Sequence, residues 1–117
     1  MGKLTTHVLD ISAGIPAAGL AIELHRADAP EGPALVSAVT GPDGRCPSPL
    51  LEGVAFAAGR YRLTYRLAAY FRARNVALPD PPFIEDAVIH LGIAEPGQHY
   101  HVPLLVTPWS YSVYRGG

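Results

Sequence analysis

The sequence predicts an all-β protein with a sandwich or barrel architecture. Twelve glycines and twelve prolines divide its 117 residues at short intervals. Between these breaks lie short runs in which apolar and polar residues alternate with a period of two, which is typical of half-buried strands. Apolar residues make up 49% of the chain. That is enough to bury one core without disulfide staples, so residues 1–117 are interpreted as a single domain.

The first half of the chain contains four candidate strands separated by turn sequences. We predict these strands at 4–10, 20–26, 34–40 and, as a short segment, 50–56. Between them we expect turns or loops at 14–19 and 28–33. The odd-numbered residues of the first strand, His7 among them, share one face. In the second strand Leu20, Ile22 and Leu24 point inward, and His25 points outward.

A rigid turn is predicted at 41–44, where the sequence reads Gly-Pro-Asp-Gly. Glycine supplies positive φ there, and Asp43 can hydrogen-bond to its own backbone. The turn therefore delivers Arg45 at a fixed place. Arginine suits oriented recognition of carbonyl and carboxylate groups, because its fork is planar and permanently charged. The alternative is an ordinary surface arginine that follows a hairpin.

The second half of the chain adds four strands and one helix. We predict strands at 59–67, 86–93, 98–106 and 110–114, and a short helix at 68–75, where alternation gives way to helix formers. The last strand pattern continues to the end of the sequence instead of fading into a polar tail. A strand running to Gly117 would hold Arg115 and the terminal carboxylate close to the structured core.

Composition excludes several classes of partner. The net charge is −1 and no basic stripe suited to phosphates is present, so a nucleic-acid partner is not expected. No apolar run approaches the roughly 18 residues that span a bilayer, so no membrane insertion is expected. Cys46 is the single cysteine, which rules out an intrachain disulfide. No signal peptide is visible at the N-terminus, and we expect a cytoplasmic location.

Histidines are the candidate acid–base groups. His99 and His101 share one face of a predicted strand, and His7 lies in the first strand. Paired histidines suit proton transfer near neutral pH. Two alternatives remain at this point: solvated polar residues, which is our interpretation of His25 and His90 on outer strand faces, and a zinc site in which His7 adds a third ligand to the His-x-His pair.

Four segments together resemble a known family. They read LTTHVLD at 4–10, GPDGR at 41–45, HYHVPLL at 99–105 and YRGG at 114–117. In sequence, order and spacing they resemble the signature segments of the transthyretin-related 5-hydroxyisourate hydrolases, over essentially the whole chain. The ending Tyr-Arg-Gly separates these hydrolases from transthyretin, the hormone carrier of the same fold. The resemblance implies a transthyretin-like β-sandwich of two four-stranded sheets with one short helix.

The resemblance also implies an activity. The family hydrolyses 5-hydroxyisourate to 2-oxo-4-hydroxy-4-carboxy-5-ureidoimidazoline during urate degradation, by adding water to a ring carbonyl, and it needs no metal or organic cofactor. It implies a homotetramer, a dimer of dimers with the active sites in a channel between dimers. The catalytic residues of the family correspond here to His7, Arg45 and His101. Its substrate-binding tetrapeptide corresponds to Tyr114, Arg115, Gly116 and Gly117.

One position departs from the family pattern. The family usually ends in serine, whose hydroxyl lies near the attacking water, whereas this chain ends in Gly117. Together with the apolar residues Pro103 and Leu105 beside His101, this departure motivates an alternative function: a non-catalytic protein of the transthyretin fold that binds a small ligand. Which of the two histidines is the general base stays open at this level.

Overall fold

The computed structural model describes residues 2–29 and 31–117, in which the chain forms two β-sheets and one α-helix. The strands are β1 (Lys3–Asp10), β2 (Ile15–Pro16), β3 (Ala21–Arg26), β4 (Val36–Val39), β5 (Leu51–Glu52), β6 (Gly59–Tyr65), β7 (Ala87–Ile93), β8 (Tyr100–Val106) and β9 (Tyr111–Val113). The helices are α1 (Leu67–Ala73) and a single 3₁₀ turn, Gly53–Ala55.

The two sheets pack face to face as a sandwich. The first has the order β2-β1-β8-β9, with β5 also paired to β1, and the second has the order β4-β3-β6-β7. The expected all-β sandwich of two sheets with one short helix is therefore confirmed. The first sheet has five strands instead of four, because the predicted turn at 14–19 contains β2, which pairs with the end of β1.

Strand β1 is the organising strand of the first sheet. It pairs in parallel with β8 over its length, with Thr5 opposite His101 and His7 opposite Pro103. Its other edge is shared by three segments in turn: β5 pairs with its beginning, Arg45 forms an isolated bridge to His7, and β2 pairs with its end. The segment that follows the Gly-Pro-Asp-Gly turn thus fills the gap between two short strands.

The core lies between the inward faces of the two sheets. Even-numbered residues of β1 and β8 point into it, as the period-two pattern requires, and Leu4, Val8 and Leu104 are fully buried. Leu24 and Leu63 close it from the second sheet. Burying each such side chain stabilises the fold by about 1.5–3 kcal/mol. Beyond the exposed Lys3, the odd-numbered residues of β1 and β8 are half-buried. The outer face of the first sheet is therefore available to form a site.

Two local expectations are wrong. His25 is buried, with 8% of its surface exposed, although it alternates with the inward-facing Leu24. His25 lies opposite Arg62 in the pairing of β3 with β6, the two central strands of the second sheet, where long neighbouring side chains can cover an outward-facing residue. His90 is exposed, as predicted. Leu67, predicted as the last residue of a strand, instead begins α1 and is buried.

Asp10 ties the end of β1 to helix α1. Its carboxylate is 1% exposed and accepts hydrogen bonds from the Ser12 hydroxyl (2.5 Å), the Tyr70 hydroxyl (2.9 Å) and the Arg74 guanidinium (3.0 Å). Burial alone would raise the pKa of Asp10, but these hydrogen bonds, another from the Ala13 amide and the Arg74 charge together hold it below 3.8.

Within the described residues, no helix has both the length and the apolar character needed to cross a bilayer.

We predict that Asp10→Asn lowers the free energy of unfolding by about 2 kcal/mol at neutral pH, because an amide cannot satisfy donors arranged around a carboxylate. The folded-state pKa lies below the unfolded value, so the contribution is fully present above about pH 4 and is lost as pH falls through the folded-state pKa. Urea denaturation of both proteins, followed by circular dichroism across this range, should show the gap narrowing in acid. Asp28→Asn is the matched control, since the ion pair of Asp28 with Arg26 is exposed; an equal loss there would contradict the assignment.

Candidate active site

The outer face of the first sheet carries the candidate catalytic residues. His7 on β1 and His101 on β8 point to this side, displaced from each other by two residues along adjacent strands. Both side chains are half-buried. Alternation alone assigns each histidine to one face of its own strand, and the parallel register brings the two strands together side by side.

The tight turn at 41–45 fixes His7. The Val8 amide donates to the Gly44 carbonyl (2.9 Å), and the His7 Nε2 lies 2.9 Å from the Asp43 carbonyl oxygen. A carbonyl oxygen only accepts, so Nε2 carries the proton and Nδ1 holds the lone pair of the neutral ring. Gly44 makes this close approach possible: its φ is +79°, and a Cβ there would lie 2.4 Å from the Val8 oxygen.

Arg45 is held by its backbone and has a free side chain. Its amide donates to the Asp43 carboxylate (3.0 Å), and its carbonyl accepts from the Gly41 amide (2.8 Å). Within residues 2–29 and 31–117 its guanidinium makes no hydrogen bond or ion pair, and the residue is exposed. The turn therefore places an uncommitted cation next to His7 and near enough to His101 to lower the pKa of that ring.

His101 is linked to its surroundings through one ring nitrogen. Its Nδ1 lies 2.8 Å from the Thr5 hydroxyl, and that hydroxyl also lies 3.2 Å from Nε2 of His99. The rings of His99 and His101 stack with centroids 6.5 Å apart. Partial burial, followed by the charges of Arg45, His7 and His99, holds the pKa of His101 below its ordinary value of 6.5. His101 is therefore kept neutral near physiological pH.

The C-terminal tail runs along β8 to the site. Strand β9 ends at Val113, so the prediction of a strand that continues to the last residue is wrong. The tail nevertheless keeps the same register: the Tyr114 amide donates to the Pro103 carbonyl (3.4 Å) and the Gly116 amide to the His101 carbonyl (2.7 Å). Gly116 lies so close that a Cβ would be 2.8 Å from the His101 ring and 3.1 Å from Pro103.

Arg115 points to the other side of the tail. Its guanidinium lies 4.0 Å from the centre of the Tyr100 ring and donates to the Gln98 side chain and the His99 carbonyl, both at 3.1 Å. The Tyr100 hydroxyl in turn accepts from the backbone amides of residues 94 and 95. The structure does not bring the Arg115 side chain together with His7, Arg45 and His101; it shows Arg115 anchoring the tail. A Cβ on Gly117 would meet no atom within 4 Å.

The zinc alternative finds no support in the geometry. In the described part of the chain, no group of three or more histidine, cysteine, aspartate or glutamate side chains is arranged to hold a metal ion. His7 also commits its Nε2 to the Asp43 carbonyl. The site therefore consists of two imidazoles and one uncommitted guanidinium, an arrangement suited to acid–base chemistry on a polar, planar substrate.

Three contributors were missed by sequence reasoning. Thr5 and Tyr100 are ordinary strand residues in the pattern, and their contacts depend on strand register and on the path of the tail. Asp43 was noted only for turn formation, whereas its carbonyl also orients His7. For Thr5 a signal existed: it shares the face of His7, so any hydroxyl there lies beside the predicted histidine site.

The fold and this face define a class of protein: a two-sheet β-sandwich with a histidine- and arginine-bearing site on one sheet. The sequence model of the HIUase/Transthyretin family matches residues 4–116. The chain belongs to this family.

Curated relatives match along the whole chain. The 5-hydroxyisourate hydrolase of Ralstonia nicotianae is 51% identical over 116 residues, which cover 99% of this chain and 99% of that protein. The 5-hydroxyisourate hydrolase of Pseudomonas aeruginosa is 47% identical, with coverage of 99% and 92%.

Solved structures agree on the fold. That of (S)-allantoin synthase is 42% identical with a TM-score of 0.92; it covers 99% of this chain, which spans only 44% of that longer one. The 5-hydroxyisourate hydrolase of Klebsiella pneumoniae is 36% identical with a TM-score of 0.82 and full coverage of both chains. Sea bream transthyretin in complex with thyroxine is 28% identical with a TM-score of 0.84, covering 97% of this chain and 94% of that one.

We predict that Gly116→Ala lowers kcat/KM by roughly 10- to 10²-fold, because the new methyl group must displace either the His101 ring or the tail, and displacements of about 1 Å have effects of this size. Steady-state hydrolysis of 5-hydroxyisourate provides the measurement. Gly117→Ala is the matched control: the same methyl group meets open space one residue later, and the rate should stay within about 3-fold of wild type. Equal effects of the two substitutions would contradict a steric role for Gly116.

Proposed function

We propose that this protein hydrolyses 5-hydroxyisourate to 2-oxo-4-hydroxy-4-carboxy-5-ureidoimidazoline, a step of urate degradation. The observation that carries the proposal is the convergence of His7, Arg45 and His101 on one sheet face, in a chain that matches 5-hydroxyisourate hydrolases from end to end. The three side chains come from three separate segments, and each is fixed by backbone pairing. No step of the proposed reaction requires a metal or an organic cofactor.

The proposed reaction begins with a proton transfer to His101. Its Nε2 has no hydrogen-bond partner among the described residues, and the ring is kept neutral by burial and nearby positive charge. Nε2 takes a proton from water as the water oxygen attacks the ring carbonyl. Arg45, whose guanidinium is uncommitted, stabilises the negative charge that develops on the carbonyl oxygen. The bond to the ring nitrogen then breaks, and that nitrogen receives the proton from His101.

His7 has a complementary role in this proposal. With its Nε2–H bound to the Asp43 carbonyl, the neutral ring offers only Nδ1, which accepts a hydrogen bond from a substrate N–H group. The tail completes the site, with Tyr114 and Gly116 on the same side as His101. Arg115 contributes by holding the tail in place, and Gly117 contributes its terminal carboxylate. These residue roles rest on the arrangement of the groups and on the family resemblance.

We predict that His101→Ala and His7→Ala each lower kcat by roughly 10²-fold or more while leaving the fold intact, as expected for the loss of an acid–base group. Arg45→Lys should also lower kcat, because an ammonium group cannot reproduce the planar fork of the guanidinium. The measurement is the decay of 5-hydroxyisourate absorbance after its generation by urate oxidase, with circular dichroism to confirm folding. His90→Ala, on the exposed face of the other sheet, is the control. Unchanged decay with wild-type protein at micromolar concentration would refute the proposed function.

The proposed active form is a homotetramer, a dimer of dimers with the site at the interface between dimers. In a single chain the site is an open face, so a second copy is needed to exclude water from it. The edge strands β7 and β9 lie at the same side of the sandwich, where a cavity of about 250 Å³ is lined by Ile89, Leu91 and Val113. Unpaired strand edges with apolar residues favour pairing with another copy.

We predict that sedimentation velocity at micromolar concentration gives the mass of four 12.4 kDa chains. Activity should fall on dilution if dissociation exposes the face that carries His7 and His101, since water then enters the site. A fully active monomer would contradict the interfacial site.

The comparisons do not favour the alternative of a non-catalytic binding protein, and the imidazoles and free guanidinium on this face would make burial beside an apolar ligand costly. The cytoplasmic location stays a prediction.

A further inference from the structure

The Thr5 hydroxyl lies between two imidazoles. It is 2.8 Å from Nδ1 of His101 and 3.2 Å from Nε2 of His99, both within hydrogen-bond distance. The backbone fixes this geometry, because Thr5 and His101 are direct neighbours in the parallel β1–β8 ladder. Thr5 is half-buried, so the contact with His101 is partly shielded from water.

A hydroxyl group has one hydrogen and two lone pairs. Thr5 can therefore accept from both imidazoles, or it can give its hydrogen to one of them in two arrangements. In the first, Nδ1–H of His101 donates to Thr5, and Thr5 donates to Nε2 of His99. His101 then holds its lone pair on Nε2. In the second, His99 donates to Thr5, and Thr5 donates to Nδ1 of His101. A neutral His101 then carries its proton on Nε2 and cannot accept one from water.

We propose that Thr5 is a positioning residue that sets the tautomer of His101, and that His99 acts on the reaction through Thr5. In the competent state the hydroxyl accepts from Nδ1 of His101, which leaves Nε2 as the base. The inference rests on the proposed function for its kinetic consequence, although the tautomer itself is a property of the free protein.

Protonation of His99 favours the reversed bridge. A protonated imidazole donates from both nitrogens, so Thr5 can then only accept from His99, and its hydrogen becomes available to Nδ1 of His101. The tautomer of His101 that keeps its lone pair on Nε2 is then disfavoured. The other charged or titratable groups that act on His101 are His7 on β1 and Arg45 on the turn. Neither of them contacts the Thr5 hydroxyl, which His99 shares with His101.

The test combines nitrogen NMR with kinetics on full-length protein. Thr5→Val removes the hydroxyl at nearly constant shape, and Thr5→Ser restores it. Nitrogen-15 spectra of the histidine rings, with His101 assigned from the His101→Gln variant, should show the proton on Nδ1 in wild type and Thr5→Ser. Thr5→Val should shift it toward Nε2 and lower kcat about 10-fold or more, with KM within about 3-fold, as for a partly disabled base. Thr5→Ser should recover most of the rate.

Two further variants separate positioning from general destabilisation. Ser112→Ala deletes a hydroxyl from β9 that hydrogen-bonds to nothing in the described residues, and it should change neither the tautomer nor the rate. His99→Asn keeps a polar side chain but cannot become cationic, so the tautomer of His101 should no longer change with pH while its ring is neutral.

The inference is overturned if wild-type His101 carries its proton on Nε2 at the pH of full activity, or if a folded Thr5→Val protein keeps the wild-type tautomer and kcat. A protein that turns over no 5-hydroxyisourate would refute the proposed function instead. In that case the NMR comparison still decides whether Thr5 sets the tautomer.

Discussion

The parallel pairing of β1 with β8 is the constraint on which the site depends. A shift of one residue in this ladder would turn either His7 or His101 into the core, because side chains alternate between the two faces of a sheet. The register is held by the apolar residues on the inward face, which lose their burial if the strands slip. Catalytic geometry on the outer face is therefore maintained by hydrophobic packing on the inner one, and the site needs no dedicated scaffold of its own.

The edge of β1 that faces away from β8 has an interrupted partner strand, and the gap in that strand accommodates the tight turn. A continuous partner strand there would cover the backbone of His7 with regular pairing and leave no place for a turn. The partner is instead divided into β5 and β2, and the tight turn between them brings a carbonyl to His7 and a cation to the same face. Gly44 permits this approach through its positive φ and its missing side chain. Regular strand pairing positions His101, whereas the irregular turn orients His7 and positions Arg45.

Most of the fold could be predicted because strand alternation and Gly/Pro punctuation are local signals. Strands β1, β3 and β8 and the short helix lie where the pattern placed them, within a few residues. The failures share a cause in tertiary structure. Burial of His25 depends on the side chain across from it, the start of α1 at Leu67 depends on the helix packing onto the core, and β2 exists only because β1 offers an edge.

The sequence could identify candidate residues of the site, but it could not predict their arrangement in space. The histidines, Arg45 and the tail were indicated by residue type and by resemblance, but which groups touch depends on register. Tyr100 shows this well, since nothing in its own sequence position distinguishes it from other strand residues, and for Thr5 the sequence indicated the shared face with His7 but not the contacts.

The alternation of the C-terminal tail has a consequence for how the protein can change. Val113 and Arg115 face the sandwich and its edge, where they contribute to holding the chain, while Tyr114 and Gly116 face His101 and Pro103. Alternate residues of this short segment therefore differ in role: one pair attaches the tail, and the other pair faces His101 and Pro103. Substitutions at Tyr114 and Gly116 would therefore change the surface beside His101 and leave the anchoring contacts in place, whereas substitutions at Val113 and Arg115 would weaken the attachment of the tail and leave that surface unchanged.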